Sequence, residues 1–314
     1  MAKQLTHDPQ VVLVVDFGAQ YAQLIARRVR EAQVYSEIVP HKISAQEVLK
    51  RQPIAIILSG GPASVHVDGA PVLDPKIYEL GIPILGICYG AQLIAEQLGG
   101  KVSRGGRGEY GRTVAQRIAG AVSQLLKDDI PAQLNVWMSH FDAVSVLPSG
   151  FVATASTRDA PMAVIENPEK KIWGVQYHPE VVHTEHGQSI IEQFLHRLVG
   201  AKRDWTMSSI VEDQVAAIRE QIGTERVICG LSGGVDSAVA AALVHKAVGK
   251  QLTCIYVDIG LMRKNESEQV VETFHRHMGI ELIHVNAGAR FFEKLKGVTE
   301  PEAKRKAIGE LFVR

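Results

Sequence analysis

Apolar residues in this chain fall into short unbroken blocks separated by stretches of helical spacing. Val11-Val-Leu-Val-Val15, Ile54-Ala-Ile-Ile-Leu58 and the block 82–87 are continuous rather than alternating, which predicts strands covered on both faces. Between the first two, Tyr21, Leu24, Ile25 and Val29 mark one side of a helix. Lys171-Ile-Trp-Gly-Val-Gln-Tyr177 reads as a further strand. Residues 188–199 read as an amphipathic helix with Ile190, Ile191, Phe194, Leu195 and Leu198 on its apolar side. A second series then begins. Ser209-Ile-Val-Glu212 has the spelling of a capping box that opens a helix to about Ile222, and Gly223 stops it. Buried strands are expected at 227–231, 252–257 and 281–285, with helices over 238–244 and from Asn265. Strands alternating with helices predict an α/β chain of two doubly wound domains with mostly parallel sheets and right-handed crossovers. The polar stretch Gly200-Ala-Lys-Arg-Asp204 reads as a linker, giving boundaries of 1–203 and 204–314.

Length and charge narrow the class. The 314 residues suffice for two sizeable cores, and 34 basic residues balance 34 acidic ones. No long basic run supports a nucleic-acid or anionic-membrane surface. Three cysteines without a C-x-x-C pair argue against a disulfide framework or a zinc cluster. The polar start MAKQLTHDPQ is not that of a signal peptide, and no apolar run reaches membrane-spanning length. A cytoplasmic protein with no nucleic-acid or membrane partner is expected.

The chemistry concentrates where predicted strands end. Pro83-Ile-Leu-Gly-Ile-Cys88-Tyr-Gly90-Ala-Gln92-Leu runs a strand into a cysteine flanked by glycines and then into a helical pattern. That is the layout of a nucleophile elbow with cysteine in place of serine, and the helix N-terminus would favour a thiolate there. Ser59-Gly60-Gly61-Pro62 closes the neighbouring predicted strand and bares backbone N–H groups suited to an oxyanion. Ligands of parallel sheets sit beyond such strand ends, so the two segments can meet. A cysteine nucleophile needs a base, and the base needs an orienting group. His178-Pro179-Glu180 supplies both, because proline favours extended geometry and residues two apart then point the same way. A lone cysteine, glycine pair or histidine would be unremarkable; the combination is not.

In the second half, Ser232-Gly233-Gly234-Val235-Asp236-Ser237 lies between a predicted strand and a predicted helix. Such a loop is an anion cradle of N–H groups, hydroxyls and a helix dipole. It is not a Walker A loop, since the G-x-x-x-x-G-K-[ST] spelling is absent. Cys229 and Cys254 read as core, and Lys304-Arg-Lys306 as a solvated face. His183 and His186 lack a third ligand in reach, so no metal site is expected.

The segments DFGAQYAQLIARRVRE, LSGGPASV, GICYGAQLIA, VWMSHFDAV and GVQYHPEVVHTEHG resemble those of class I glutamine amidotransferases, and of the GMP synthases among them. The resemblance implies that Cys88 attacks the glutamine carboxamide, His178 acts as base and acid, and Glu180 holds His178. It implies that Gly61 and Tyr89, beside Gly60, stabilise the oxyanion, and that Gln92, Ser139 and His140 grip the glutamine. Phe141 departs from it, standing where the family usually has glycine, and is expected to alter the backbone near the pocket. Glu109-Tyr-Gly-Arg112 matches a family segment for which the residues give no chemistry. The Ser232–Ser237 loop resembles that of the ATP pyrophosphatase superfamily (adenine-nucleotide α-hydrolase-like), in which Ser232, Gly233, Gly234 and Ser237 would hold phosphates. Asp236 would help place the pyrophosphate with its magnesium (Mg2+), and the loop after Asp258 would lie near the adenosine. By the same resemblance the partners are glutamine, ATP and xanthosine monophosphate, and complete members are homodimers. The resemblance also implies more strands in the second sheet and a further domain beyond Arg314. Two other readings fit the residues: a pyrophosphatase-type tRNA-modifying enzyme fused to an amidase, and a non-catalytic glutamine- or nucleotide-binding module.

Overall fold

The computed structural model describes residues 10–19, 21–62, 64–127 and 129–313. Two compact units divide between Thr206 and Met207. Among the described residues, no helix is long and apolar enough to cross a membrane.

In the first unit, strand β1 (Val11–Asp16) leads to helix α1 (Ala22–Glu31), β2 (Tyr35–Pro40), α2 (Ala45–Arg51) and β3 (Ala55–Leu58). Strand β4 (Ile84–Ile87) then runs directly into α3 (Tyr89–Gln97). Beyond these come β5 (Lys101–Arg117), β6 (Gln133–Val146), β7 (Val152–Ser156), β8 (Val164–Asn167), β9 (Ile172–Val175) and α4 (Gly187–Glu192). The sheet order is β2-β1-β3-β4-β9-β8-β7-β5-β6, parallel from β2 to β9 and antiparallel from there on.

The parallel half is covered on both faces, as its continuous apolar strands require. Successive side chains go to opposite sides. Val12, Val14, Ile57 and Leu85 pack with Ile25 and Val29 of α1 and Ile190 and Ile191 of α4. Leu13, Val15, Ile56 and Leu58 pack with Val48 of α2 and Leu93 and Ile94 of α3. On α1 the buried face is completed by Ala22 and Ala26, while Leu24 sits at its flank. Helix α4 continues as a wider π-type turn over Gln193–Leu198 that buries Phe194 and Leu195.

The antiparallel half departs from the expected pattern. Strand β6 alternates buried and exposed positions along most of its length, so no continuous apolar run announces it. Its register against β5 slips between Arg104 and Glu109, which face Asp142 and His140, leaving Phe141 opposite a bulge. Past β9, His178 N–H donates to Trp137 O at 3.0 Å and Glu185 N–H to Asn135 O at 2.9 Å, tying that segment to β6.

The second unit holds α5 (Met207–Ile222), β10 (Val227–Leu231), α6 (Val235–Val248), β11 (Leu252–Asp258), α7 (Glu266–Val271), β12 (Glu281–Asn286), α8 (Gly288–Leu295) and α9 (Pro301–Val313). Its sheet, β10-β11-β12, is parallel. One face is packed, with Leu231, Cys254 and Tyr256 against Ala241, Val270 and Phe274. The other is open. Ile228 is 71% and Ile283 47% exposed, so β10 and β12 are not the fully buried strands that their composition predicts. An apolar run signals strand propensity but does not by itself supply a covering layer. Cys254 is core as expected, whereas Cys229 is only partly buried. Helix α5 begins at Met207, before the expected capping box, and the Ser209 side chain lies outside the described residues. Residues 202–206 pack with the first unit: Trp205 N–H donates to Gln33 O at 3.0 Å, and its ring meets Tyr35 at 4.6 Å.

Candidate active site

Cys88 caps α3 with φ 51° and ψ −105°, a conformation that L side chains rarely adopt. Its N–H donates to Val175 O at 2.8 Å, fixing the turn to β9. The turn is possible only with glycine on both sides. A Cβ on Gly86 would stand 2.6 Å from Ile94 Cδ1, and one on Gly90 would stand 2.5 Å from Leu58 O. Strand, elbow and helix therefore close on one another and leave the sulfur at the strand end.

His178 and Glu180 arrive from the end of β9. His178 Nδ1 lies 2.8 Å from Glu180 Oε1; the two residues are 4% and 0% exposed. The segment is held at several points. Thr184 Oγ1 donates to His178 O at 2.6 Å and accepts from Trp137 N–H at 3.0 Å, and Arg28 Nε donates to Glu180 O at 2.7 Å. Tyr21 meets the imidazole edge-on at 5.3 Å. The ring's Cε1 lies so near Gly60 that a Cβ there would be 3.2 Å away. Burial works against a charged imidazole, but the adjacent Cys88 sulfur and the Glu180 carboxylate outweigh it and raise the His178 pKa well above its ordinary value.

A cleft of about 350 Å³ opens over the sulfur, lined by Gly61, Pro62, Ser64, Cys88, Tyr89, Gln92, Tyr110 and the run Ser139–Asp142. Among the described residues, the N–H groups of Gly61 and Tyr89 have no hydrogen-bond acceptor. Gln92 is 3% exposed and donates from Nε2 to Asp142 O at 2.5 Å and to Gln176 Oε1 at 3.3 Å. His140 lines the cleft with both nitrogens engaged: Nδ1 is 2.9 Å from Asp142 O and Nε2 is 3.1 Å from Glu109 Oε2. It offers a ligand ring surface rather than a free nitrogen. The carbonyl of Ser139 faces the thiol, at 3.9 Å. Phe141 leaves the strand path intact because the β5 bulge makes room; Gly108, at φ +74°, would bring a Cβ to 2.8 Å from both His140 O and Phe141 Cδ1. The Phe141 ring sits edge-on to Tyr110 at 5.2 Å and under the Arg104 guanidinium at 5.2 Å.

In the second unit the Ser232–Ser237 loop joins β10 to α6. Ser237 Oγ accepts from Ser232 N–H at 3.2 Å, lies 3.1 Å from Ser232 Oγ, and donates to Gly234 O at 3.0 Å. Gly233 turns at φ +81°, a Cβ there meeting Met262 Cε at 3.0 Å. Asp236 is exposed in the first turn of α6, beside Val235. Asp258 accepts from Gly260 N–H at 2.8 Å, and that bond, with Ser267, holds its carboxyl below the usual range.

Residues 13–198 match the family model for class-I glutamine amidotransferases. The chain belongs to that family. Residues 207–306, most of the second unit of this amidotransferase, match the family model for NAD synthase. Among curated relatives, a glutamine-hydrolysing GMP synthase of Streptomyces coelicolor is 58% identical over 98% of this chain and 58% of its own length. One from Bifidobacterium longum is 59% identical over 96% of this chain and 56% of its own length. The chain thus spans a little over half the length of these relatives. A crystal structure of a candidate GMP synthase component from Thermoplasma acidophilum matches with a TM-score of 0.55 at 30% identity. The match covers 62% of this chain and 96% of that one.

Around this cleft, Cys88, His178, Glu180, Gly60, Gly61, Tyr89, Gln92, Ser139 and His140 come together, although they are scattered over more than a hundred positions. Sequence reasoning missed Gln176, Glu109 and Thr184. Glu109 had no visible role because its partner His140 is met only across the β5–β6 ladder. Thr184 acts through a backbone carbonyl, which leaves no trace in residue type. His183, which spacing alone leaves without a role, packs its ring against Trp137 at 4.8 Å.

Proposed function

We propose that the first unit is a glutaminase domain and the second belongs to an ATP pyrophosphatase domain, in a cytoplasmic, homodimeric enzyme that converts xanthosine monophosphate to GMP, the boundary lying a few residues past the expected 203/204. The observation that carries the glutaminase reading is the buried His178–Glu180 pair beside a cysteine held on a strained elbow under a cleft.

In this reading Cys88 Sγ attacks the carboxamide carbon of glutamine, and the oxyanion accepts from Gly61 N–H and Tyr89 N–H. His178, holding a proton, delivers it to the leaving nitrogen; the C–N bond breaks, ammonia departs and a thioester remains. His178 then takes a proton from water, whose oxygen attacks the thioester, and the C–S bond breaks to release glutamate. Glu180 fixes the ring orientation throughout. Gln92, with both Nε2 hydrogens engaged, offers the substrate only its Oε1; Ser139 and His140 shape the pocket.

For the whole protein, the names of the relatives support glutamine, ATP and xanthosine monophosphate as substrates. The Ser232–Ser237 loop suits the phosphates of ATP, because its hydroxyls tie a glycine turn to the N-terminus of α6, whose N–H groups and dipole favour an anion. Magnesium would neutralise phosphate charge, and the exposed carboxylate of Asp236 fits as its protein ligand alongside phosphate oxygens. Adenylylation of the 2-oxygen releases pyrophosphate, and ammonia then displaces AMP to give GMP.

Ammonia release from glutamine by the purified chain, with and without ATP and xanthosine monophosphate, tests the proposal. Turnover that is lost in Cys88→Ala supports it. Absence of turnover, together with no labelling of Cys88 by an electrophilic glutamine analogue, overturns the glutaminase reading.

A further inference from the structure

Gln176 touches the nucleophile, and nothing in the scheme above uses it. The residue is 2% exposed, and its backbone N–H donates to Ala163 O at 2.8 Å, anchoring it just past β9. Its Nε2 lies 3.7 Å from Cys88 Sγ, within hydrogen-bonding range of sulfur. Its Oε1 accepts from Gln92 Nε2 at 3.3 Å.

The orientation of the amide follows from the network. Gln92 Nε2 is a donor because it points at the Asp142 carbonyl, 2.5 Å away. The atom of Gln176 facing that nitrogen must therefore be the carbonyl oxygen, which turns the Gln176 NH2 toward the sulfur. The reverse arrangement would set two NH2 groups against each other in a buried site and leave both short of acceptors.

We infer that Gln176 is a further catalytic residue: an N–H donor to the Cys88 sulfur, with Gln92 as the positioning residue that holds the donor in place. A hydrogen bond to an ionised partner is stronger than one to a neutral partner, so this donor favours the thiolate over the thiol. A carboxamide suits the position because it carries no charge and does not titrate. The contact matters before attack, when sulfur is negative, and again as the thioester breaks and sulfur departs with the electron pair. Between those points the charge sits on the oxyanion, away from Gln176. The role in turnover rests on the glutaminase reading; the effect on thiol reactivity does not.

The test is the pH dependence of Cys88 alkylation by iodoacetamide in the full chain, followed by mass spectrometry. The parent is compared with Gln176→Met, which removes the donor at similar volume, and Gln176→Glu, which keeps the shape and replaces the donor with oxygen. The alkylation midpoint is expected to move up by about one to two pH units in both variants, the worth of a hydrogen bond to a charged partner. Glutaminase kcat is expected to fall about tenfold, with KM within about threefold. Alkylation profiles that match the parent, in variants with the parent's unfolding midpoint, overturn the inference. Should one variant fail to fold, the other decides. If the parent chain hydrolyses no glutamine, the glutaminase reading falls, while the alkylation profiles still settle what Gln176 does to the sulfur.

Discussion

The Cβ that Gly61 lacks would stand 2.4 Å from Cγ of Tyr89. The ring cannot step aside, because Tyr89 OH donates to Pro71 O at 2.6 Å and the ring packs on Phe17 at 5.4 Å. A side chain at position 61 must therefore push the backbone and, with it, the N–H proposed to face the oxyanion. Gly61→Ala is expected to lower glutaminase kcat by about a hundredfold or more, the usual effect of losing one oxyanion donor. Steady-state ammonia release measures it, and a variant within tenfold of the parent would remove Gly61 from the oxyanion role.

Glu180 has one oxygen on His178 Nδ1 and a second, Oε2, that is buried with no partner among the described residues. Glu180→Gln keeps the shape but presents either a neutral oxygen or an NH2 to the ring. The imidazolium then loses its counter-charge, and kcat is expected to fall by about 10²–10⁴, the range for a disabled acid–base group. Because burial alone disfavours the charged ring, the His178 pKa should fall in the variant. An NMR titration of the ring would reveal this, and an unchanged midpoint would contradict the pairing.

What could be read from the sequence follows physical lines. Strands β1, β3 and β4 are buried on both faces, so unbroken runs such as Val11–Val15 announce them. Cys88 was legible because its turn demands Gly86 and Gly90 at fixed offsets. Strand β6 was not, since its burial largely alternates and its pairing is set by β5. Gln176 and Glu109 were opaque for a related reason: a buried amide or carboxylate gains its meaning from partners distant in the chain. Conversely, β10 reads as apolar throughout, yet Ile228 lies open, because composition records propensity and not what covers a face.

Glu109 joins fold stability to the cleft. It accepts from Thr157 Oγ1 at 2.7 Å and Asp159 N–H at 3.3 Å, and lies 3.1 Å from His140 Nε2. Burial raises its pKa, but these bonds outweigh it and hold the carboxyl below its ordinary 4.5. A lowered folded value means the stabilisation is complete above about pH 4.5 and is lost as pH falls through the folded pKa. Glu109→Gln is expected to lower Tm near neutrality by about 2–4 °C, as for roughly 1 kcal/mol in a unit of this size. The gap from the parent should narrow as the pH is taken below 4.5. Thermal unfolding across that range checks it, and a gap that widens in acid would refute the assignment.

Phe141 forms one wall of the cleft and remains 45% exposed, so a bound ligand has apolar surface to cover. Its ring also seats the Arg104 guanidinium and Tyr110. Phe141→Gly, the residue implied by the family resemblance, removes that wall without touching Cys88 or His178. KM for glutamine is expected to rise about tenfold, the worth of one lost aromatic contact with its cation, while kcat stays within about threefold. A drop in kcat with KM unchanged would instead mean that the ring acts on the chemistry through the backbone of Ser139.

Ser237 ties the phosphate loop together, since its hydroxyl meets Ser232 N–H, Ser232 Oγ and Gly234 O within 3.2 Å. Those contacts hold the turn at Gly233 against the first turn of α6, where a phosphate would meet N–H groups and the dipole. Ser237→Ala removes the hydroxyl and loosens the three groups it organises, so the loop no longer holds its N–H groups ready for phosphate. Magnesium–ATP affinity is expected to fall about tenfold or more, roughly one to two hydrogen bonds to an anion. Isothermal titration of the parent and the variant measures this, with Ser237→Thr, which restores the hydroxyl, recovering most of the loss. If alanine binds as tightly as serine, the loop is a helix cap and the nucleotide sits elsewhere.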